Sequence, residues 1–300
     1  MEGIYAHADF IKVYKAILDS TQEIATYLRY HSAHVLVQQN QFGKQQSDLD
    51  LVADDIIFNH LKKSGVVHSA ASEEKPFLNE LNPDGEYTVT FDPIDGSQVI
   101  DSNFAVASVF AIWKSKDING LTGRDLVGAA LSIYGSRTTI ILYNAQNKKV
   151  EELTLLQMGK NERWIVTTPD LKIEPDAKLF APALKSSYDN PNYLKIFENY
   201  CLKGYSIRYS GAFAVDCYQI FIKRQGIYSM LDSVAHPSRL HLIYEIIPLA
   251  FLIEKAGGKT SDGERSVLDV EIKGFKQRIS FIAGSSNEVD YIVRTLNEKE

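Results

Sequence analysis

The strongest restriction on the fold comes from the order in which helix-like and strand-like patterns follow one another. Apolar residues recur at helical spacing over residues 10–31 and 49–61, so two amphipathic helices are predicted to open the chain. Six β-rich runs separated by Gly, Asn and Asp turns come next. They cover residues 66–71, 87–91, 104–113, 126–134, 138–143 and 164–168. Helices followed by a run of strands predict an α+β first half.

After about residue 170 the strands and helices alternate instead, which predicts α/β layering. Strands are expected near 178–181, 205–209, 226–231 and 279–284, and helices near 191–203, 213–222, 239–257 and 287–298. A chain of 300 residues at about 150 residues per domain suggests two lobes. We place the boundary between a first lobe of residues 1–170 and a second of residues 171–300.

Charge and cysteine content narrow the classes of partner. The chain has 32 Lys and Arg against 38 Asp and Glu, so it shows no basic footprint for nucleic acid. Cys201 and Cys217 form no CxxC pair, which argues against a disulfide framework or a cysteine zinc site. No uncharged apolar stretch reaches the roughly 18 residues that span a bilayer, and the first residues resemble no leader. We therefore expect a cytoplasmic protein with neither membrane nor nucleic acid as partner.

Two acids and a Gly-Ser pair follow the strand predicted over residues 87–91, in the sequence FDPIDGS. Asp92 and Asp95 are three residues apart, and the Pro and Gly between and after them predict a tight turn. Both carboxylates can then face one hard cation, while the N–H groups of Gly96 and Ser97 remain available to an oxyanion. The alternative is that Asp-Pro and Asp-Gly are merely common turn dipeptides.

Three further acids stand at the ends of predicted elements. The run 66–71 leads to the adjacent Glu73 and Glu74, whose like charges repel unless a cation lies between them. A solvated loop pair is the alternative. Asp50 belongs to the sequence SDLD at the start of a predicted helix, where a capping box also explains an acid without any chemistry.

Glu245 stands among apolar residues on nearly every side of a predicted helix, in the sequence LHLIYEIIPLAFLIEKAGG. Such a helix is buried, and a buried carboxylate costs on the order of several kcal/mol unless it is paired or binds a metal. Pro248 predicts a kink near this acid. The alternatives are a buried pair with Arg239 or His241, or a side chain that reaches out to solvent.

Charged and hydroxyl side chains that could bind phosphate are scattered over the second half of the chain: Lys185, Tyr188, Arg208, Tyr209 and Arg239. Arg and Lys bind phosphate oxygens through charge-assisted hydrogen bonds, although each of these residue types is more often a plain surface residue. Nucleotide-binding glycine motifs and the HExxH zinc motif are absent from the sequence, so neither nucleotide nor zincin chemistry is indicated.

Together these segments resemble the metal-dependent, lithium-sensitive sugar phosphatases, and within them the fructose-1,6- and sedoheptulose-1,7-bisphosphatases. The match includes ASEE, FDPIDGS, YGS at 134–136, RYSG at 208–211, the Glu245 segment and IAGSSNE, in the order of the family. The resemblance implies an α/β protein with a layered αβαβα sandwich, a sugar bisphosphate as substrate, and a homodimer or homotetramer. Glu245 makes the chain more similar to the bisphosphatases than to the inositol monophosphatase relatives, which carry Asp at the corresponding position.

Within this family, Val99 followed by DSNF at 101–104, and YDNP at 188–191, are similar to the sedoheptulose type. The implied reaction is Mg²⁺-dependent hydrolysis of the 1-phosphate of sedoheptulose 1,7-bisphosphate. Fructose 1,6-bisphosphate is the alternative substrate, and a non-catalytic sugar-phosphate-binding regulator is the more distant reading.

The resemblance also implies which residues would form the site. Two or three Mg²⁺ ions, or Mn²⁺ in their place, would be held by Glu73, Glu74, Asp92, Asp95, Glu245 and the Ile94 carbonyl. Catalytic roles would belong to Asp50, Glu74 and Asp95. Substrate contacts would come from Gly96, Ser97, Tyr188, Arg208, Tyr209 and Arg239. Arg208 is expected to reach into the site of a neighbouring subunit.

The chain departs from the family pattern at several positions. Lys44 stands where a second catalytic Asp is usual, with Asp48 as a substitute, and the segment 181–185 lacks an Asn that usually contacts the distal phosphate. Met230 stands near the position at which the fructose-type enzymes carry a Tyr. The sequence QQN at 38–40 replaces the regulatory cysteine pair of the plastid enzymes, so no thiol control is expected.

Overall fold

A computed structural model describes residues 2–42, 47–158, 161–186 and 189–298, with the side chains of 8–30, 49–156, 161–185 and 189–298. Six α-helices lie in these ranges: α1 (Glu2–Phe42), α2 (Ser47–Lys63), α3 (Pro191–Leu202), α4 (Phe213–Ile222), α5 (Ile247–Lys255) and α6 (Ser286–Leu296). The strands are β1 (Val67–Ser72), β2 (Asn79–Glu80), β3 (Tyr87–Asp95), β4 (Val106–Trp113), β5 (Leu126–Tyr134), β6 (Thr138–Asn144), β7 (Lys149–Met158), β8 (Asn161–Thr168), β9 (Leu179–Pro182), β10 (Ser206–Ile207), β11 (Ile227–Met230), β12 (Lys259–Ser261) and β13 (Phe281–Gly284).

The larger sheet has eight strands in the order β2-β1-β3-β4-β5-β6-β7-β8 and is covered on both faces. Phe91 of β3 pairs with Phe110 of β4, and both pack with the apolar face of α1 and α2. Their neighbours Val109 and Ala111 point the other way, into a core shared with α4 and α5. Side chains alternate along a strand, so both faces of this sheet are apolar. Helices therefore cover both faces.

The smaller sheet has five strands in the order β10-β9-β11-β13-β12. Tyr228 and Phe281 face the core with α4 and α5, whereas Ile227 and Ile282 pack with α3 and α6 on the other side. The layers are therefore α1 and α2, the large sheet, α4 and α5, the small sheet, and α3 and α6. The predicted α/β class with αβαβα layers is confirmed.

Three strands, β2, β7 and β12, were not predicted. In β7, two acids explain why. Glu151 and Glu152 interrupt the apolar alternation, yet both are buried. Asn144 and Asn147 donate hydrogen bonds to Glu151, and Tyr218 donates to Glu152. A buried acid that is satisfied by hydrogen bonds is compatible with a sheet interior, but a hydrophobic pattern does not show it.

The helix predicted over residues 239–257 forms only in part, and the predicted kink at Pro248 is wrong. His241 is extended and bridges to Arg278, a π-helical turn follows at Leu242–Ile246, and α5 begins at Ile247. Pro248 lies in the first turn of α5, where the missing N–H leaves no helical hydrogen bond unmade. It therefore starts the helix instead of bending it.

The two sheets lie on either side of residues 169–178 in the chain. The division into lobes at residue 170 stays a prediction, as does the cytoplasmic location. Within the described ranges, every helix is too short or too polar to cross a lipid bilayer.

Candidate active site

The strand β3 continues past Phe91 and ends at Asp95. The tight turn expected over Pro93 and Gly96 therefore does not form at Pro93 and begins only at Gly96, before a short 3-10 turn at Ser97–Val99. The pairing of β3 with β4 shifts register between Asp92 and Asp95, which is the signature of a bulge. Because Phe91 faces α1 and α2, strand alternation points Asp92 to the opposite face, toward α5. The N–H of Ile94 donates to Oδ1 of Asp92 at 3.0 Å, which holds that carboxylate in place.

Asp95 and Gly96 contact the start of α4. The N–H of Ala214 donates to Oδ2 of Asp95 at 2.8 Å, as expected for a carboxylate at a helix N-terminus. Gly96 has a φ of 86°, and a Cβ there would lie 2.5 Å from the Cβ of Ala212. Only glycine accepts both this backbone conformation and this close approach, so Gly96 lets the end of β3 touch α4.

Glu245 lies in the π-helical turn and is buried. Its Oε2 accepts a hydrogen bond from the N–H of His241 at 2.5 Å. The Nδ1 atom of His241 lies 3.4 Å from Glu245 and 3.3 Å from Glu73. The buried pair with His241, one of the alternatives for Glu245, is therefore present. It does not neutralise the site, because Glu73 adds a second carboxylate to the same imidazole.

The acids meet in two groups that share Glu245. Oxygen atoms of Asp92, Asp95 and Glu245 all lie within 4.8 Å of one another, as do ligand atoms of Glu73, His241 and Glu245. Burial raises the pKa of both Asp92 and Asp95 well above the usual value, and the neighbouring carboxylates raise it further. Buried carboxylates that repel one another are a donor set suited to a hard divalent cation.

The donors favour Mg²⁺ or Mn²⁺ over zinc, because carboxylate oxygens predominate and neither group, among the described residues, contains a thiol. Ile94 is buried between the two aspartates and lines the same cavity. These residues therefore fit the divalent metal that the resemblance implies.

Asp50 and Glu74 lie beside this cluster and not in the cavity lining. Asp50 is half-buried on α2 and hydrogen-bonds the Ser97 side chain. Burial, followed by the charges of Glu74 and Glu73, raises the pKa of Asp50 to about 7. The side chain of Glu74 is exposed.

A cavity of about 940 Å³ opens from the acids toward the small sheet. The acids that line it are Glu73, Asp92, Asp95, Asp232 and Glu245. Of the predicted substrate-binding residues it includes Gly96, Ser97, Tyr209 and Arg239. Cationic side chains from separate segments also reach it: Lys185, Arg239 and Arg278. An acidic cluster and several cationic side chains in one cavity suit an anionic ligand that binds together with a metal cation.

Arg278 is a cavity residue that the sequence reasoning missed. Its Nε and Nη2 atoms lie 3.1 and 3.0 Å from Nε2 of His241. With Nε2 accepting from Arg278, the ring proton stays on Nδ1, facing the two glutamates. Nothing local distinguished Arg278 from other surface arginines, because only its bridge to His241 brings it to the site.

Some of the residues predicted for the site do not line the cavity, or lie outside the described part of the chain. The guanidinium of Arg208 is exposed, donates to the Ile207 carbonyl at 2.9 Å, and does not line the cavity of its own chain. Tyr188 and Lys44 lie outside the described residues, and the side chains of 38–40 and Asp48 are likewise not described.

Comparison with known proteins finds matches along most of the chain. The family model for the N-terminal domain of fructose-1,6-bisphosphatase matches residues 5–168, and the model for its C-terminal domain matches residues 173–297. The chloroplastic sedoheptulose-1,7-bisphosphatase of Spinacia oleracea is 39% identical over 260 residues, which are 86% of this chain and 66% of that protein. The chain thus spans about two thirds of the length of that relative.

A class 1 fructose-1,6-bisphosphatase of Campylobacter curvus is 31% identical over 283 residues, covering 94% of this chain and 92% of that protein. A crystal structure from Toxoplasma gondii, provisionally assigned as a sedoheptulose-1,7-bisphosphatase, superposes with a TM-score of 0.85 at 32% identity. The superposition covers 97% of this chain and 94% of the other. Both sheets and the cavity between them therefore lie within the matched region.

Proposed function

Because this chain belongs to the fructose-1,6-bisphosphatase family, we propose that it hydrolyses the 1-phosphate of sedoheptulose 1,7-bisphosphate with the help of divalent metal ions. Members of this family are phosphoric monoester hydrolases of sugar bisphosphates, so the enzyme class expected from the sequence is confirmed at the level of the family. The observation that carries the proposal is the meeting of Asp92, Asp95 and Glu245 at one cavity.

The metal ligands that we propose are the carboxylates of the cluster, the adjacent exposed acid and one main-chain oxygen. They are Glu73, Glu74, Asp92, Asp95, Glu245 and the carbonyl of Ile94. Bound Mg²⁺ supplies positive charge for the phosphate and lowers the pKa of water. Asp92 and Asp95, whose pKa values are raised by burial and by the neighbouring carboxylates, would ionise more readily with a bound cation between them.

The residues next to the cluster would orient the phosphate and handle the proton. We assign the contact with the 1-phosphate to the N–H of Gly96 and to Ser97, which line the cavity at the end of β3. Asp50 is hydrogen-bonded to Ser97, and burial raises the pKa of its carboxylate, which suits Asp50 to accept a proton. Catalytic roles for Asp50, Glu74 and Asp95 are part of this proposal.

The other side of the cavity would bind the rest of the sugar. Tyr209 and Arg239 line it, and we assign to them the distal phosphate and the sugar hydroxyls. Lys185 lines the same wall and adds a positive charge. The contact assigned to Tyr188 falls outside the described residues.

The substrate is tested by measuring phosphate release from both sugars at saturating Mg²⁺. We expect kcat/KM to be about tenfold or more higher for sedoheptulose 1,7-bisphosphate than for fructose 1,6-bisphosphate. The higher identity to the spinach relative supports this choice. An equal or higher value for the fructose sugar would make the second candidate correct. Tight binding of either sugar without phosphate release would indicate the non-catalytic regulator.

We propose further that the chain acts as a homodimer or homotetramer in which Arg208 completes the site of a neighbour. The guanidinium of Arg208 is exposed and does not line the cavity of its own chain, which supports a contact with a neighbouring subunit. Arg208→Ala is then expected to raise KM about tenfold. At substrate concentrations well below KM, mixing this variant with an Asp95→Asn variant should restore activity above either alone, because one site in a mixed pair has both residues. Failure of mixed oligomers, verified by sedimentation, to regain activity would contradict the shared site.

A further inference from the structure

Lys75 joins the loop that carries two of the acids to the helix that carries a third. Its Nζ lies 2.7 Å from Oδ2 of Asp54 and 2.8 Å from Oδ1 of Asp55, and 4.8 Å from the centre of the Phe58 ring. All three partners belong to α2. The Asp54 side chain is 0% exposed, whereas that of Asp55 is 71% exposed, so Asp54 is the partner that water screens least.

The backbone closes the same loop at both ends. The N–H of Lys75 donates to Oγ of Ser72 at 2.9 Å, and the N–H of Ser72 donates to the Lys75 carbonyl at 3.1 Å. Between them, the N–H of Glu73 donates to the Phe91 carbonyl of β3 at 3.2 Å. The turn that contains Glu73 and Glu74 is therefore closed, tied to β3, and fastened to α2 through the Lys75 side chain.

Asp50 lies one helical turn before Asp54 on α2, and residues four apart share a helix face. The charges of Glu73 and Glu74 act on Asp50 and raise its pKa. Like charges push α2 and the acidic turn apart when no cation separates them. The pair between Lys75 and Asp54 opposes that separation.

We propose that Lys75 is a positioning residue. Its pair with Asp54 sets the spacing between Asp50 and the Glu73–Glu74 turn and so holds Glu73 and Glu74 where they can bind a divalent cation. This inference rests on the metal site of the proposed function. It concerns affinity for the ion, since Lys75 does not line the cavity.

The charge-neutral double variant Asp54→Asn/Lys75→Met tests the proposal. Removing both partners avoids an unpaired buried charge, so the loss of folding stability is expected to be small. Methionine keeps the contact with the Phe58 ring. The measurement is direct titration of the full-length protein with Mn²⁺, followed by electron paramagnetic resonance, together with the thermal unfolding temperature.

We expect the double variant to bind Mn²⁺ about tenfold or more weakly than the natural chain, with an unfolding temperature within about 3 °C. Lys75→Arg keeps the ion pair and should rescue the affinity to within about twofold. Asp55→Asn removes the exposed partner alone and should also stay within about twofold. Unchanged Mn²⁺ affinity in the double variant would overturn the proposal.

A second variant guards against loss of the fold. Ser72→Ala removes the hydrogen bond from the Lys75 N–H and the one between Ser72 and Asp54. It keeps both charged partners of the ion pair, and it should weaken Mn²⁺ binding about threefold. If the double variant does not fold, unchanged affinity in Ser72→Ala overturns the proposal instead. If the natural chain itself binds no Mn²⁺, the metal site of the proposed function is wrong and this inference is wrong with it. If the natural chain binds Mn²⁺ and only the variants lose affinity, the metal site stands and the role of Lys75 is supported.

Discussion

Asp95→Asn is expected to lower kcat/KM for phosphate release by about a thousandfold or more. The substitution removes one of the three buried carboxylates that meet within 4.8 Å, and an amide is a poor ligand for Mg²⁺ by comparison with a carboxylate. The amide oxygen can still accept from the Ala214 N–H, so the fold should persist. The test is to measure phosphate release at saturating Mg²⁺ for the variant and for the natural chain, together with the thermal unfolding temperature of both.

Glu152→Gln is the matched control for this prediction. Glu152 is also a buried carboxylate, and it accepts a hydrogen bond from Tyr218, but it lies on β7 and outside the cavity. We expect its kcat/KM to stay within about threefold of the natural chain. Near-normal turnover of Asp95→Asn, or an equal loss in the control, would refute the assignment of the acidic cluster as the active site.

The metal-free protein should lose stability as the pH rises from about 5 to 8. In the folded chain the pKa values of Asp92, Asp95 and Glu245 are raised, chiefly by burial. The folded state therefore holds protons that the unfolded state has already released above about pH 4.5, and stability falls with pH in that window. Each unit of raised pKa costs about 1.4 kcal/mol once the carboxyl is ionised.

Thermal unfolding in a chelator should show this as a drop of about 5 °C or more across the window, and Mg²⁺ should reverse the drop at pH 8 but not at pH 5. The cation binds the ionised carboxylates of the folded state alone, so its effect grows as protons leave. Asp95→Asn should flatten the pH dependence in the chelator. A metal-free unfolding temperature that rises steadily from pH 5 to 8 would contradict the buried, mutually repelling cluster.

Local pattern predicted much of the fold because each layer has its own periodicity. Apolar spacing along 10–31 and 49–61 placed α1 and α2, and alternation placed most strands of the large sheet. The pattern failed at β7, where Glu151 and Glu152 are buried with hydrogen-bond partners. It also failed around Pro248, because an apolar run does not distinguish an extended segment and a π-helical turn from the first turn of an α-helix.

In the candidate site, too, the local sequence predicted some features and not others. That Glu245 is a buried acid follows from its apolar neighbours, and that Asp92 and Asp95 stand at the carboxyl end of a strand follows from their place after an alternating run. Arg278 and Lys75 had no such signal, since a cation on the surface and a cation against a buried acid have the same local sequence. Their roles depend on His241 and Asp54, which lie far away in the chain.

The amino-acid order alone therefore determined which side chains are acidic, which of them end buried elements, and which layers can form, because these properties depend on neighbours within a few residues. Tertiary structure decided that Asp92, Asp95 and Glu245 share one space, that Lys75 meets Asp54, and that Arg208 points away from its own cavity. Such meetings arise from the packing of β3, α2 and the π-helical turn around common cores, and the energy of that packing is spread over residues distant in sequence.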